Sequence, residues 1–167
     1  NGMAPGRALE KLFEAAPDAY EVTIFNAEPR VNYDRIMLSP LLSGEKSFEQ
    51  IVIHGDGWYV KHGVTLHKGT TITAIDRAAK TVISARGLTV PYDKLLIATG
   101  SLPIIIPVPG HKLAGVLTYR DLDDVQAMLL AAKSGGMAIV IGGGLLGLEA
   151  AVGLKEQGMD VTVLHLM

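Results

Sequence analysis

The sequence predicts an α/β fold with a parallel sheet, and three observations carry that prediction. In MAIVIGGGLLGLEAAVGLK (137–155) an apolar strand runs into a glycine turn and straight on into a helix. The chain opens NGMAPGRALEKL, which would be a second such turn were one more glycine to precede it, and a helix and the strand EVTIF follow at the expected distance. Between the two, TTITAIDRAAKTVIS holds β-rich runs on either side of a tight turn. Together they describe a Rossmann-like three-layer fold with a parallel sheet and a β-meander, in which two dinucleotide-binding folds are nested. The opening turn lacks its first glycine and the strand before it, and the last strand stops in mid-sheet with apolar edges open, so truncation at both ends is expected.

Each element has its own signal. RALEKLFEA (7–15) places Leu9, Leu12 and Phe13 on one helical face, with Pro5 and Gly6 just before it, where a missing N–H is harmless. Pro17 and Asp18 end that helix, and EVTIF (21–25) is the β-branched run that a parallel sheet buries. Residues 26–47 read as a loop of scattered apolar residues among prolines, serines and arginines. A short extended piece, a brief helix carrying Trp58 and Tyr59, and a strand at 64–66 come next. The β runs of 70–84 turn about Asp76-Arg77-Ala78-Ala79, and a third short strand is expected at 88–90. LLIA (95–98) reads as a buried strand ending in Thr99-Gly100. PIIIPVPGH carries three prolines and is expected to be an extended connector, with a domain boundary near 110–118. Asp121 is a good N-cap for a helix in which Leu122, Val125, Leu129 and Ala132 keep helical spacing, and Gly135 and Gly136 stop it. A strand at 137–141, the glycine turn, a helix at 145–157 and a strand at 161–164 complete the order.

Composition narrows the function. With 15 Lys and Arg against 17 Asp and Glu, the net charge of -2 offers no basic face for nucleic acid and no polybasic membrane anchor. The apolar stretches fall well short of the roughly 20 residues a membrane helix needs. Cysteine is absent, so these residues form no disulfide, hold no iron–sulfur cluster through thiolates and offer no thiol nucleophile. A cytoplasmic setting is compatible with that and is the expectation. The five histidines show no H-x-H or H-E-x-x-H spacing, so no metal site is expected. His62 and His67 are expected at the surface, and Trp58 and Tyr59 in the core.

The glycine turns carry the chemistry. In Gly142-Gly143-Gly144-Leu145-Leu146-Gly147 the strand before and the helix after are both present. Gly142 makes the tight turn, Gly144 lets the backbone approach a pyrophosphate, and Gly147 allows close packing of helix on strand. The helix N-terminus supplies N–H groups and partial positive charge for the phosphates. An acidic residue at the end of the second strand normally binds the ribose 2′-hydroxyl, but His165 takes that place, which favours NADPH or dual use. At the opening turn, proline stands at the third glycine site and Gly6 one later, and Asn26 and Glu28 lie where a ribose-binding side chain belongs. YDRIMLS (33–39) offers Arg35 as a fixed charge and Ser39 as a hydroxyl, both suited to a pyrophosphate or a ring edge. At ATG (98–100) small residues let backbone approach a ligand at the carboxyl end of a strand.

Two such folds in one chain, joined through a β-meander and an ATG strand end, resemble the flavin-dependent pyridine nucleotide oxidoreductases. Within them the runs NGMAPGRALE, VTIFNAEPRVNYDRIMLSP, HKG, LLIATGS, PVPG and VIGGGLLGLEAA are similar to the N-terminal flavoprotein part of assimilatory NAD(P)H nitrite reductase large subunits. The resemblance implies an FAD-binding domain at 1–113, lacking its first strand, and the incomplete start of an NAD(P)-binding domain at 114–167. It implies FAD held through Gly2, Met3, Ala4, Glu28, Arg35, Ile72, Thr99 and Gly100, with NAD(P)H on Gly142 to Gly147 and Glu149. Hydride would pass from nicotinamide to flavin, and electrons onward to an iron–sulfur and sirohaem domain or small subunit outside these residues, reducing nitrite to ammonia. A homodimer is a candidate assembly. A stand-alone rubredoxin or ferredoxin reductase and a non-enzymatic nucleotide-binding module are the alternatives. Pro40 stands where related ferredoxin and rubredoxin reductases often carry a lysine near the flavin, so that lysine's role does not transfer. The lack of cysteine sets these residues apart from the disulfide reductases. The cofactors do the chemistry in this scheme, so no catalytic residue is assigned.

Overall fold

The computed structural model of the chain describes residues 1–166. In chain order the elements are α1 (Met3–Ala15), β1 (Thr23–Phe25), β2 (Asn32–Tyr33), a 3-10 turn (Arg35–Met37), α2 (Leu38–Ser43), α3 (Phe48–Ile51), β3 (Val52–His54), α4 (Asp56–Lys61) and β4 (Thr65–His67). The strands β5 (Ile72–Asp76), β6 (Thr81–Ser84) and β7 (Thr89–Pro91) follow, then α5 (Leu122–Lys133), β8 (Met137–Ile141), α6 (Leu145–Glu156) and β9 (Asp160–Leu164). They fall into two compact units, Asn1–Tyr33 with Val52–Gly100, and Asp34–Ile51 with the chain from Ser101 onward.

In the first unit β1 pairs parallel with β4, Thr23 facing Thr65, and β2 pairs antiparallel with β3. The meander β5-β6-β7 is antiparallel throughout, as its two apolar runs and tight turn predict. Helix α1 lies close against β2 because Gly6 has no side chain: a Cβ there would stand 2.2 Å from Asn32 Nδ2. Tyr33, Tyr59, Val64 and Val82 are buried, and so are the polar Asn32 and His54. His54 links the elements, with Nε2 2.8 Å from Glu10 Oε1 on α1, Nδ1 3.2 Å from Asn32 Nδ2, and its ring stacked on Trp58 at 4.0 Å.

Glu10 also accepts from Arg7, one turn back on α1. These bonds, Arg7's first and His54's second, hold the Glu10 carboxyl below the usual carboxylate range. A lowered carboxyl contributes stability that is complete above its unfolded-state pKa, about 4.3, and is lost as pH falls through the lower folded value. The expected result is that Glu10→Gln reduces the urea midpoint at pH 7 and that the gap to wild type closes as the pH is taken down through the acid limb. A gap that stays constant from neutral to acid pH would mean the pairing contributes no charge-linked stability.

In the second unit β8 and β9 pair parallel over five residues, from Met137 opposite Asp160 to Ile141 opposite Leu164. Burial alternates along both strands, and α6 packs on the pair. Helix α2 packs against α5 and α6, with Leu42 wholly buried against Gly153. Gln157 Nε2 donates to the Leu42 carbonyl at 3.0 Å and ties the same two helices again. Asp121 caps α5 in a capping box closed by Asp124, as its position before the apolar spacing predicts.

Several expectations are corrected. Residues 95–98 form no strand, and Leu95, Leu96 and Ile97 are exposed at 40%, 65% and 65%. A short apolar run becomes a strand only where a neighbour takes its N–H and C=O groups, and no described strand pairs with it. Parallel pairing is accordingly confined to two strand pairs among the described residues. The stretch 26–47 is not a loop: it holds β2, the 3-10 turn capped by Asp34, and α2. Pro40 disguised α2, but it sits in the first turn, where its missing N–H has no helical acceptor to lose. The same reasoning lets α1 begin at Met3 and take in Pro5. His62 and His67 are half-buried, their rings stacked at 4.9 Å on Phe13 and Phe25, and Trp58 is half-buried where Tyr59 is core.

Candidate functional site

The turn between β8 and α6 uses each glycine differently. Gly142 has φ +119, a backbone conformation that side chains disfavour, and its N–H bonds to the Leu164 carbonyl at 2.8 Å. Gly144 is the extended N-cap of α6, makes no side-chain cap, and faces open space where a Cβ would stand. At Gly147 an added Cβ would lie 1.8 Å from the Gly142 carbonyl oxygen, so only glycine lets α6 start this close to the strand end. Leu145 and Leu146, in the first helical turn, are 83% and 60% exposed. First-turn amides have no acceptor within their own helix, and no side chain supplies one at Gly144. The contrast is α5, whose first-turn amide is satisfied by Asp121. A run of open amides at a dipole's positive end, with no carboxylate in the glycine run, fits a pyrophosphate.

His165 reaches this turn. Its Nδ1 accepts the Gly143 N–H at 3.1 Å, and a Cβ on Gly143 would meet the imidazole at 2.8 Å. The ring is therefore the tautomer with Nδ1 unprotonated, and it engages the glycine turn itself.

The first unit holds the other turn. Gly2 is the extended N-cap of α1, again without a side-chain cap, and Met3 and Ala4 begin the helix. The close-packing duty falls to Gly6 and not to Pro5 at the third glycine site. Asn26 is buried, donating through Nδ2 to the Arg30 carbonyl at 2.8 Å. The Glu28 carboxylate, mostly buried, accepts from Tyr33 at 2.8 Å and pairs with Arg30 at 3.2 Å. Backbone bonds from Thr70 to Asn26 and from Gly69 to Glu28 tie this loop to the segment that leads into Ile72, the half-buried first residue of β5. Thr99 and Gly100 are exposed, and Gly100 has φ +76, but residues 95–100 form neither strand nor turn.

Arg35, Ser39 and Glu149 belong to the second unit. Arg35 donates to the Arg120 carbonyl at 3.1 Å. Ser39 Oγ lies 2.5 Å from Glu149 Oε2 and 2.8 Å from Tyr119 Oη. Tyr119 was not among the expected site residues: it stands 80 positions from Ser39, and no local spacing joins them. A cleft of about 600 Å³ is lined by Phe13, Glu14, Trp58 and His62 among others, and includes no residue of Gly2 to Ala4 or of Gly142 to Gly147. No helix among the described residues is long and apolar enough to cross a membrane.

Comparison with known proteins places the chain in a family. The family described as "Pyridine nucleotide-disulphide oxidoreductase" matches residues 2–167. The "Assimilatory nitrate reductase electron transfer subunit" of Bacillus subtilis (strain 168) is 47% identical over 165 residues, 99% of this chain and 21% of that protein. "Nitrite reductase [NAD(P)H]" of the same organism is 46% identical over 166 residues, again 99% and 21%. Among solved structures, the NADH:rubredoxin oxidoreductase of Clostridium acetobutylicum superposes with a TM-score of 0.79 at 30% identity, covering 85% of this chain and 37% of that one. The chain spans about a fifth of the length of these curated relatives.

Proposed function

Since the chain belongs to the pyridine nucleotide-disulphide oxidoreductase family, we propose that it is the flavoprotein module of an NAD(P)H-dependent nitrite reductase. It takes hydride from NAD(P)H and sends electrons toward iron–sulfur and sirohaem centres held by other residues. The observation that carries this is the turn Gly142 to Gly147, in which the backbone at Gly142 and the close packing at Gly147 call for glycine and α6 begins with no side-chain cap on its first-turn amides. Residues 1–113 are the flavin domain and 114–167 the start of the pyridine nucleotide domain. Bound FAD would supply an acceptor that takes electrons as a pair and returns them singly.

The chain's own residues bind and orient. Leu145, Leu146 and Gly147 offer amides to the coenzyme pyrophosphate, and Glu149 offers a carboxylate one turn further along α6. Gly2, Met3 and Ala4 do the same service for the flavin at α1, where Asn26 and Glu28 accept from its ribose. Ile72, Thr99 and Gly100 complete the flavin contacts in the first unit. His165 holds the turn by accepting from Gly143 and puts no carboxylate where a 2′-phosphate would be repelled, which leaves both NADH and NADPH open.

Likeness to a rubredoxin oxidoreductase favours a second reading, a stand-alone reductase for a small iron–sulfur protein. Adding NADH or NADPH without air to the FAD-loaded protein is the test. Bleaching of the oxidised flavin band is the expected result. Flavin that binds but is not bleached by either coenzyme would leave a non-enzymatic nucleotide-binding module. Electron delivery to rubredoxin, with none to a sirohaem partner, would favour the second reading.

A further inference from the structure

Three side chains distant in sequence meet in the second unit, on α2, on the connector before α5, and on α6. Ser39 Oγ sits 2.8 Å from Tyr119 Oη and 2.5 Å from Glu149 Oε2. A serine hydroxyl has one hydrogen, and an ionised carboxylate can only accept. The hydrogen therefore goes to Glu149, and Tyr119 must be the donor to Ser39. The chain has one direction, phenol to hydroxyl to carboxylate, and its last step has the short length of a charge-assisted bond. Burial pushes the Tyr119 hydroxyl above the ordinary phenol range, with the Glu149 charge adding to it against the Ser39 bond, so the phenol keeps the proton it donates.

The place of Glu149 gives this chain a use. It is exposed on α6, four residues after Leu145 and so on the same face, about one turn from the open amides at the helix start. Its Oε1 has no hydrogen-bond partner among the described residues. A lone surface glutamate samples several rotamers, and a ligand that needs one of them bears the ordering cost. Here the cost is met before any ligand arrives, because Ser39 is anchored on α2, which Leu42 and Gln157 seat against α6.

We propose that Tyr119 is a positioning residue for pyridine nucleotide binding: through Ser39 it fixes Glu149, so that the free carboxylate oxygen accepts from an uncharged N–H or O–H donor of the coenzyme. This rests on the reading of Gly142 to Gly147 as the coenzyme turn. No pattern in the sequence marks Tyr119 for such a role.

The test is a fluorescence titration of NADH on the purified protein. It compares wild type with Tyr119→Phe, Ser39→Ala, Ser39→Thr, Glu149→Gln and the Tyr119→Phe/Glu149→Gln pair, with thermal midpoints taken on the same samples. Tyr119→Phe is expected to raise Kd about threefold to tenfold, the effect of one hydrogen bond. Ser39→Ala should raise it at least as much, and Ser39→Thr should restore it. Once residue 149 is glutamine, Tyr119→Phe should add nothing, a coupling that a merely structural tyrosine would not show. A Kd unchanged by Tyr119→Phe, or raised equally in both backgrounds, overturns the proposal alone. Wild-type protein with no saturable NADH binding overturns the reading of the turn and the proposal with it.

Discussion

Gly147→Ala is expected to lose NAD(P)H binding by at least roughly tenfold and to destabilise the second unit by about 3 kcal/mol, near the upper end for overpacking. The added methyl would stand 1.8 Å from the Gly142 carbonyl oxygen and 2.9 Å from its carbon. That obstacle is backbone, and it cannot retreat cheaply, because the Gly142 N–H is bonded to the Leu164 carbonyl and its φ of +119 is already unusual. Helix α6 must therefore lift from the strand end, taking its first-turn amides with it. Gly144→Ala is the matched control: its Cβ meets nothing, its backbone is extended, and the loss of a glycine N-cap costs under about 1 kcal/mol. Urea melts and coenzyme titrations on both variants check the contrast. Equal stability of the two, or Gly147→Ala binding like wild type, would show that close packing at this turn is not what shapes the site.

The contrast also explains which parts of the protein were legible in the sequence. The turn at Gly142 to Gly147 was, because everything it needs is contiguous: an apolar strand, three spaced glycines and a helix. The Asp121 cap and the β5-β6-β7 meander were legible for the same reason, since both depend on residues a few positions apart. LLIA was not, because four apolar residues announce burial while the strand itself depends on a neighbour supplied from elsewhere in the chain. The buried link from Glu10 through His54 to Asn32 joins positions 22 and 44 apart, and the Ser39 bonds to Tyr119 and Glu149 span 80 and 110. Such pairs leave no local period. His62 and His67 show a subtler failure: their polarity suggested the surface, but an imidazole can stack on a neighbouring ring as well as face water.

Leu42→Ala should be the most damaging core truncation in the second unit. Leu42 is 0% exposed and sits between α2 and α6, so losing its branched end removes transfer energy and leaves a cavity, together costing about 2–5 kcal/mol. Opposite it, Gly153 has no room for a side chain, its would-be Cβ lying 2.7 Å from Leu42 Cγ and 2.8 Å from Cδ2. Gly153→Ala alone therefore sets an overpacking cost of about 1–3 kcal/mol against a gain in helix propensity of about 1 kcal/mol. The double variant is the informative one, because alanine at 153 grows into the space that leucine vacates. Its loss should fall short of the sum of the singles by about 1 kcal/mol or more. Denaturant midpoints at constant slope measure this, and strict additivity would mean the two residues do not share a cavity. The same seat carries a functional consequence, since α2 bears Ser39 and α6 bears Glu149. Leu42→Ala should weaken NADH binding even though it touches no glycine of the turn, and the double variant, which refills the gap, should recover part of that loss.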